Sequence, residues 1–539
     1  MQILWLVKTT LPQAAAACGL AGASDVSGSW LTGQLAALQA HPALHLTVLC
    51  VGKAEAAGRA DGVDYRIVTG TAAFAPLLQQ LRPDLVHIWG TEYDAAAAMA
   101  EVAKAAGLPV LFSIQGVMRD CAAHLCDGVP AAYRRSGALW HTLDRIVPGE
   151  LLDTMQASFD ALAAKEAALL AQARYVTGRT AFDRSACAAL APAARYFACN
   201  ETLRPLFYTG TPWHAREFGA APVLFLPQGN YPLKNLHTAL RALPAVLAAY
   251  GDAQLVIAGW PPLDKGPLLR PIIDRMFPYK RYCKQLAAEL GIAGHIRYTG
   301  PLDAAAMRQA YLEADVFLLP SCCENSPNSL GEAMLLGLPC VAAAVGGIPS
   351  MLENGREGLL YGDALDDKAL ADAVLRILQS ADGGMALGRA ARARALQTHD
   401  AARNAGELEQ IYKTILQEEQ PALRMITEAS TDTSVTPTQT GCFISMSADC
   451  YSTIAHRPFF NDENNERKIN GILFQENFYN QANALSKLLK LKIHPSVGQM
   501  QRIFSTHLPV EQNASLSFTP SAIRYSYGYY VYELKHILI

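Results

Sequence analysis

Between residue 1 and about residue 418, short aliphatic and β-branched runs alternate with alanine- and leucine-rich stretches of helical length. That alternation predicts an α/β chain built on doubly wound parallel sheets, because parallel strands need a crossover helix between them. In the first half the runs predict strands at Gln2–Val7, Leu46–Val51, Leu85–Trp89, Val110–Ile114 and Tyr175–Thr177. A second set follows at Val223–Pro227, Gln254–Ala258, Ile296–Thr299, Val316–Leu319 and Cys340–Ala344. The connector Arg195–Ala221 contains Pro205 and Pro212 and has no clean helical period, so it predicts a hinge between two lobes facing a cleft. The domain expectation is residues 1–205, 206–420 with a final crossing helix, and 421–539.

After about Gln420 alanine becomes scarce and Asn, Ser, Phe and Tyr rise. Thr427–Thr440 predicts a linker, Asn470–Ile493 a helix and Ile523–Tyr532 a strand. No chemistry attaches to this extension. The Asn513-Ala514-Ser515 triplet matches a glycosylation sequon, which has no meaning in a cytoplasmic protein.

The chain's 539 residues, about half of them apolar, favour two to four domains. A formal charge of −3 supplies no basic field for a phosphate backbone, so no nucleic-acid partner is expected. Twelve scattered cysteines without a C-x2-C pair, and the irregular cluster Cys121, His124 and Cys126, predict a reducing compartment and no metal site. Met1–Val7 reads as a first strand instead of a signal segment. The longest apolar run, Ala333–Ile348, is broken by Gly337, Pro339, Gly346 and Gly347, so no transmembrane helix is expected and the location is cytoplasmic.

The chemistry concentrates in Val316–Gly337, where a buried strand, a polar turn and a short glycine-closed helix follow one another. Ser326 suits the helix cap and Pro327 the first helical position, leaving the amides of Asn328, Ser329 and Leu330 pointing out of the first turn. With the positive end of the helix dipole behind them, these amides make a seat for a diphosphate. Glu324 lies before the helix and Glu332 inside it, so two carboxylates border one anion site. Such carboxylates are tolerable where they accept from sugar hydroxyls, and a nucleotide sugar supplies both the diphosphate and the hydroxyls.

Glu324 and Glu332, with seven residues between them, resemble the E-x7-E motif of retaining family 4 glycosyltransferases of GT-B fold. The resemblance extends through His87–Glu92, Ser113–Gly116, Gly178–Thr180, Asn200–Arg204, Tyr231–Asn235 and Glu324–Gly337, segments similar to a bacterial surface-polysaccharide branch. It covers residues 1 to about 418 and stops there. It implies a first lobe on the acceptor side and a second that binds the nucleotide sugar, with a hexosyl group passing from a UDP- or GDP-sugar to a glycan or lipid-linked acceptor with retention. Glu332 would hold the ribose, Glu324 the donor sugar and Lys234 the diphosphate, while Gly28 would let the diphosphate approach the backbone. No metal is implied, because a lysine stabilises the leaving group.

Two departures accompany these matches. Where relatives carry an arginine before the lysine, this chain has Gln228-Gly229-Asn230, which leaves Asn230 at the donor site and makes Arg204, Arg281 and Arg297 the candidate substitute cations. Where many relatives have a histidine near the reacting sugar, this chain has Gln115, which can orient a sugar but cannot act as a base. Gln115 and Glu92 are both expected at strand ends on the cleft. Arg119, Arg134, Arg135, His141 and Arg145, interleaved with Leu139, Trp140, Leu143 and Ile146, fit a membrane-surface patch as well as a solvated helix with one apolar side. The tyrosines at 525, 527, 529, 530 and 532 fit a strand as well as a carbohydrate-stacking face. A sugar-nucleotide epimerase and a non-catalytic glycan- or nucleotide-binding scaffold remain the alternative functions.

Overall fold

The computed structural model describes residues 1–20, 31–146, 149–217, 219, 221–262 and 270–431, with side chains as far as Glu419 except at Ile146. Gly28 and the expectations for the tail beyond residue 431 lie outside these residues, as does most of the linker expected at Thr427–Thr440.

The first sheet holds β1 (Gln2–Val7), β2 (His45–Val51), β3 (Ala56–Ala60), β4 (Val63–Val68), β5 (Leu85–Trp89), β6 (Val110–Ser113), β7 (Tyr175–Gly178) and β8 (Arg195–Ala198). Their order is β3-β4-β2-β1-β5-β6-β7-β8, parallel except for the antiparallel β3–β4 edge. In β1 the residues Ile3, Trp5 and Val7 enter one core cluster while Leu4 and Leu6 enter another on the opposite face. A continuous apolar run is what a parallel strand covered on both faces requires.

The second sheet holds β9 (Val223–Leu226), β10 (Gln254–Ile257), β11 (Ile296–Tyr298), β12 (Val316–Leu319), β13 (Cys340–Ala343) and β14 (Leu359–Tyr361). Its order is β11-β10-β9-β12-β13-β14, all parallel. Both sheets reverse their winding in the middle, the first between β1 and β5 and the second between β9 and β12. Such reversal points open a crevice at the carboxyl ends of the strands.

Four strands were not anticipated. The β3–β4 hairpin turns on Asp61-Gly62, both at positive φ, which is a legible turn pair hidden by the weak strand propensity of Ala56–Ala60. The strand β8 occupies the start of the expected hinge, and β14 is a three-residue edge strand.

The two lobes are packed together. One cluster combines Met118, Leu125, Met155 and Phe159 of the first lobe with Leu236, Tyr279 and Cys323 of the second. The final helix, Ala401–Thr431, returns to the first sheet, where Leu408, Ile411, Tyr412 and Ile415 lie in its core. The Tyr412 hydroxyl accepts from Trp5 Nε1 at 2.9 Å and bonds His87 Nδ1 at 2.7 Å. Burial lowers the His87 pKa to about 3, so this imidazole is neutral at physiological pH.

Candidate active site

The winding reversal of the second sheet brings the two strongest sequence candidates into contact. Lys234 closes the turn after β9 and Glu324 lies in the turn after β12, and Lys234 Nζ donates to Glu324 Oε1 at 2.6 Å. Ser321 Oγ donates to the same oxygen at 2.7 Å. Burial disfavours the charge on Lys234, but the Glu324 carboxylate outweighs that effect and holds the ammonium pKa above its usual range. The pair sits where ligands bind in open parallel sheets.

The helix beside it runs Asn328–Leu336 and ends at Gly337 with φ of 82°. It starts one residue later than the capping pattern predicted. Pro327, not Ser326, is the N-cap, because its extended ψ of 117° keeps it outside the helix. Ser326 makes no capping bond, and its buried hydroxyl has no partner among the described residues. The shift corrects one anion-site assignment: the Leu330 amide donates to the Pro327 carbonyl at 3.1 Å, and the Leu330 side chain is in the core. Asn328 and Ser329 therefore supply the open amides of the first turn.

Glu332, the residue expected to hold the ribose, already has a charged partner. Arg204 grips it with two parallel bonds of 2.6 and 2.7 Å, with only 14% of the arginine and 6% of the glutamate side chain exposed. Burial raises the Glu332 pKa while Arg204 opposes the rise, and the two-point geometry is that of an ionised pair. Each Glu332 oxygen retains lone-pair capacity for a further donor such as a ribose hydroxyl. Arg204 is thus committed to Glu332 and does not replace the absent arginine. Arg281 lies over the Tyr133 ring at 4.6 Å, and Arg297 occupies an exposed position of β11.

A different arginine reaches the helix. Arg179 follows β7 in the first lobe, and its NH1 donates to Asn328 Oδ1 and to Glu201 Oε2, each at 2.9 Å. The other Glu201 oxygen accepts from Gln115 Nε2 at 2.6 Å. Gln115, expected at the cleft, is held by a carboxylate the sequence did not single out. Arg179 and Glu201 lie within the Gly178–Thr180 and Asn200–Arg204 segments. Their roles were illegible because the partner of each is remote in sequence. Asn230 packs against Gly259 and lines a recess with Trp260, Lys280 and Tyr298.

On the first-lobe rim, Lys8 after β1 and Glu92 after β5 pair at 3.2 Å across that sheet's own reversal point. Beneath them the buried Glu166 accepts from Thr91 Oγ1 at 2.5 Å and from the Met118 amide at 2.7 Å, tying the turn after β5 to the turn carrying Gln115. The lobes touch at Gly347, where a Cβ would stand 1.7 Å from the Asn325 carbonyl oxygen and 2.7 Å from Thr180 Oγ1, so only glycine allows this approach. No group of three or more His, Cys, Asp or Glu able to hold a metal occurs among the described residues. No helix among them is long and apolar enough to cross a membrane.

Residues 222–380 match the family described as Glycosyl transferases group 1, and residues 422–539 match a family of unknown function. A D-inositol 3-phosphate glycosyltransferase of Corynebacterium urealyticum is 30% identical over 196 residues, 36% of this chain and 43% of that protein. A phosphatidyl-myo-inositol mannosyltransferase of Mycobacterium leprae is 32% identical over 195 residues, 36% of this chain and 46% of that protein. The chain thus spans less than half the length of these relatives. Among solved structures, sucrose-phosphate synthase from Thermosynechococcus elongatus superposes with a TM-score of 0.57 at 16% identity, covering 78% of this chain and all of that one. HepE of Anabaena, in complex with UDP and glucose, gives 0.51 at 15% identity over 77% of this chain and all of that one. Residues 222–380 are therefore a glycosyl transferases group 1 domain, the second lobe of a chain with the GT-B fold.

Proposed function

We propose that this chain is a retaining, family 4 type hexosyltransferase that moves a sugar from a UDP- or GDP-sugar to a glycan or lipid-linked acceptor in surface-polysaccharide synthesis. The observation that carries the reading is the Lys234–Glu324 pair at the sheet reversal, beside the open first turn of the helix Asn328–Leu336. Those groups match a diphosphate and the hydroxyls of its sugar. A GDP-mannose-dependent mannosyltransferase of Mycobacterium tuberculosis is 28% identical over 181 residues, in keeping with such a donor.

In the proposed reaction the bond from the anomeric carbon to the β-phosphate oxygen breaks and its electron pair stays on the phosphate. The acceptor oxygen bonds the same face of that carbon, and the acceptor proton passes to the departing diphosphate. Lys234 and the amides of Asn328 and Ser329 stabilise the charge that develops there, without a metal. Glu324 exchanges its Lys234 contact for a donor-sugar hydroxyl, Glu332 receives the ribose, and Gln115 orients the sugar. We place the protein in the cytoplasm, peripherally on the inner membrane face. Leu139, 65% exposed on the helix Ala138–Ile146, with Arg135 and Arg145 exposed nearby, supports that placement.

Incubation with UDP- and GDP-sugars, with and without candidate acceptors, tests the reading through nucleoside diphosphate release. Transfer requires acceptor-dependent release that falls at least ~100-fold in Glu324→Ala and Lys234→Ala. Turnover without acceptor indicates an epimerase. Binding without release indicates a silent scaffold, the reading to which the mutually satisfied Lys234–Glu324 and Arg204–Glu332 pairs would then belong.

A further inference from the structure

We propose that Arg179, delivered by the first lobe, is the second cation on the donor diphosphate. This rests on the donor reading above and assigns to that site a residue the second lobe does not contain. The turn after β9 offers Lys234 but Gln228-Gly229-Asn230 where a further cation would be expected; Arg204 spends both Nε and NH2 on Glu332, Arg281 lies over Tyr133 and Arg297 is exposed on β11, whereas Arg179 bonds its partners among the described residues through NH1 alone. A single ammonium leaves much of a diphosphate's charge uncompensated.

Arg179 is placed to supply what is lacking. Its side chain is 6% exposed, and NH1 ends against Asn328, the first residue of the helix whose amides form the anion seat. Its Nε is buried with no partner among the described residues. Two further buried polar atoms in the adjoining turn, Asn325 Oδ1 and Ser326 Oγ, also lack partners there. Unsatisfied buried polar atoms are costly, so three of them on turns that meet at one helix N-terminus favour a polar ligand there.

The partners of Arg179 explain how it could change hands. Glu201 fixes the guanidinium from one side while its other oxygen holds Gln115, so the arginine is oriented before a ligand arrives. Asn328 Oδ1 is a neutral acceptor. A phosphate oxygen in its place makes a charge-assisted bond roughly twice as strong, and the planar guanidinium suits two phosphate oxygens at once. Because Arg179 belongs to the first lobe and the seat to the second, the diphosphate would fasten the lobes where Thr180 meets Gly347 and the Ala181 amide donates to Ser350.

The test is equilibrium binding of UDP and GDP, each against its monophosphate, to the full-length protein and to Arg179→Ala, Arg179→Gln and Arg179→Lys. Arg179→Gln keeps neutral hydrogen bonding to Glu201 and Asn328 and guards against simple loss of folding. The expected result is that Ala and Gln variants lose about 10- to 100-fold in affinity for the preferred diphosphate and less than about 3-fold for its monophosphate, with Lys intermediate. An unchanged diphosphate-to-monophosphate ratio, whether both affinities hold or both fall together, overturns the assignment and leaves Arg179 as a tie between lobes. If the wild-type protein binds neither nucleotide, the donor reading itself falls, and this proposal with it.

Discussion

The Arg204–Glu332 pair makes a quantitative test of how the second lobe is held to the connector. Glu332→Ala removes both acceptors of a guanidinium that is 14% exposed and stacked on Phe207 at 4.7 Å, leaving a nearly buried charge without its counterion. Removing one partner from such a pair costs about 3–5 kcal/mol, while replacing both by apolar residues of similar volume is near neutral. For a unit of about 150–250 residues each kcal/mol lowers the unfolding temperature by about 2–4 °C, so the single variant should melt roughly 6–20 °C lower. Glu332→Gln, which keeps one acceptor, should fall between it and wild type. The double variant Arg204→Met with Glu332→Leu should recover most of the loss. Thermal unfolding followed by circular dichroism and calorimetry reads this order. A single variant within ~2 °C of wild type, or a double variant no better than Glu332→Ala, refutes the reasoning and means that Glu332 is not committed to Arg204.

Tyr412→Phe should cost about 2–4 kcal/mol, because it strands the Trp5 indole N–H and the His87 imidazole in the first core; urea unfolding that moves by less than ~0.5 kcal/mol would contradict this. Glu166 supplies a pH signature. Burial pushes its pKa up to about 7, against the bonds from Thr91 and Met118 that lower it, with Glu92 and Asp120 adding to the rise. The folded state therefore holds this proton more tightly than the unfolded chain. The stabilisation is complete below about pH 4.5 and is lost as pH rises through about 7, up to ~3 kcal/mol in all. Glu166→Gln should lack this dependence, so its stability relative to wild type should rise between pH 5 and 8. A difference independent of pH in urea titrations would show that Glu166 does not titrate in this window.

Much of the active-site frame was readable along the chain because its signals are local. The strand Val316–Leu319, the Glu324–Glu332 spacing and the glycine-closed helix require only neighbours in sequence, as does the position of Lys234 after β9. Local reading failed by one residue at the helix start, where Pro327 remains extended and the Leu330 amide is consumed within the first turn. It failed more widely for cations, because Arg204, Arg281 and Arg297 are equivalent until their partners are known.

The sequence by itself determined the alternating α/β architecture, the core strands and the second-lobe turn that presents a lysine and a glutamate, since hydrophobic period, capping and turn chemistry act over a few residues. Only the tertiary structure decided which charges cancel and which converge. Lys234 meets Glu324 because the winding of the second sheet reverses between β9 and β12. Arg179 meets Asn328, 149 positions away, because Gly347 lets two lobes close on each other. Charge pairing depends on distance in space and on exclusion of water, and neither quantity is written in the order of residues along a chain.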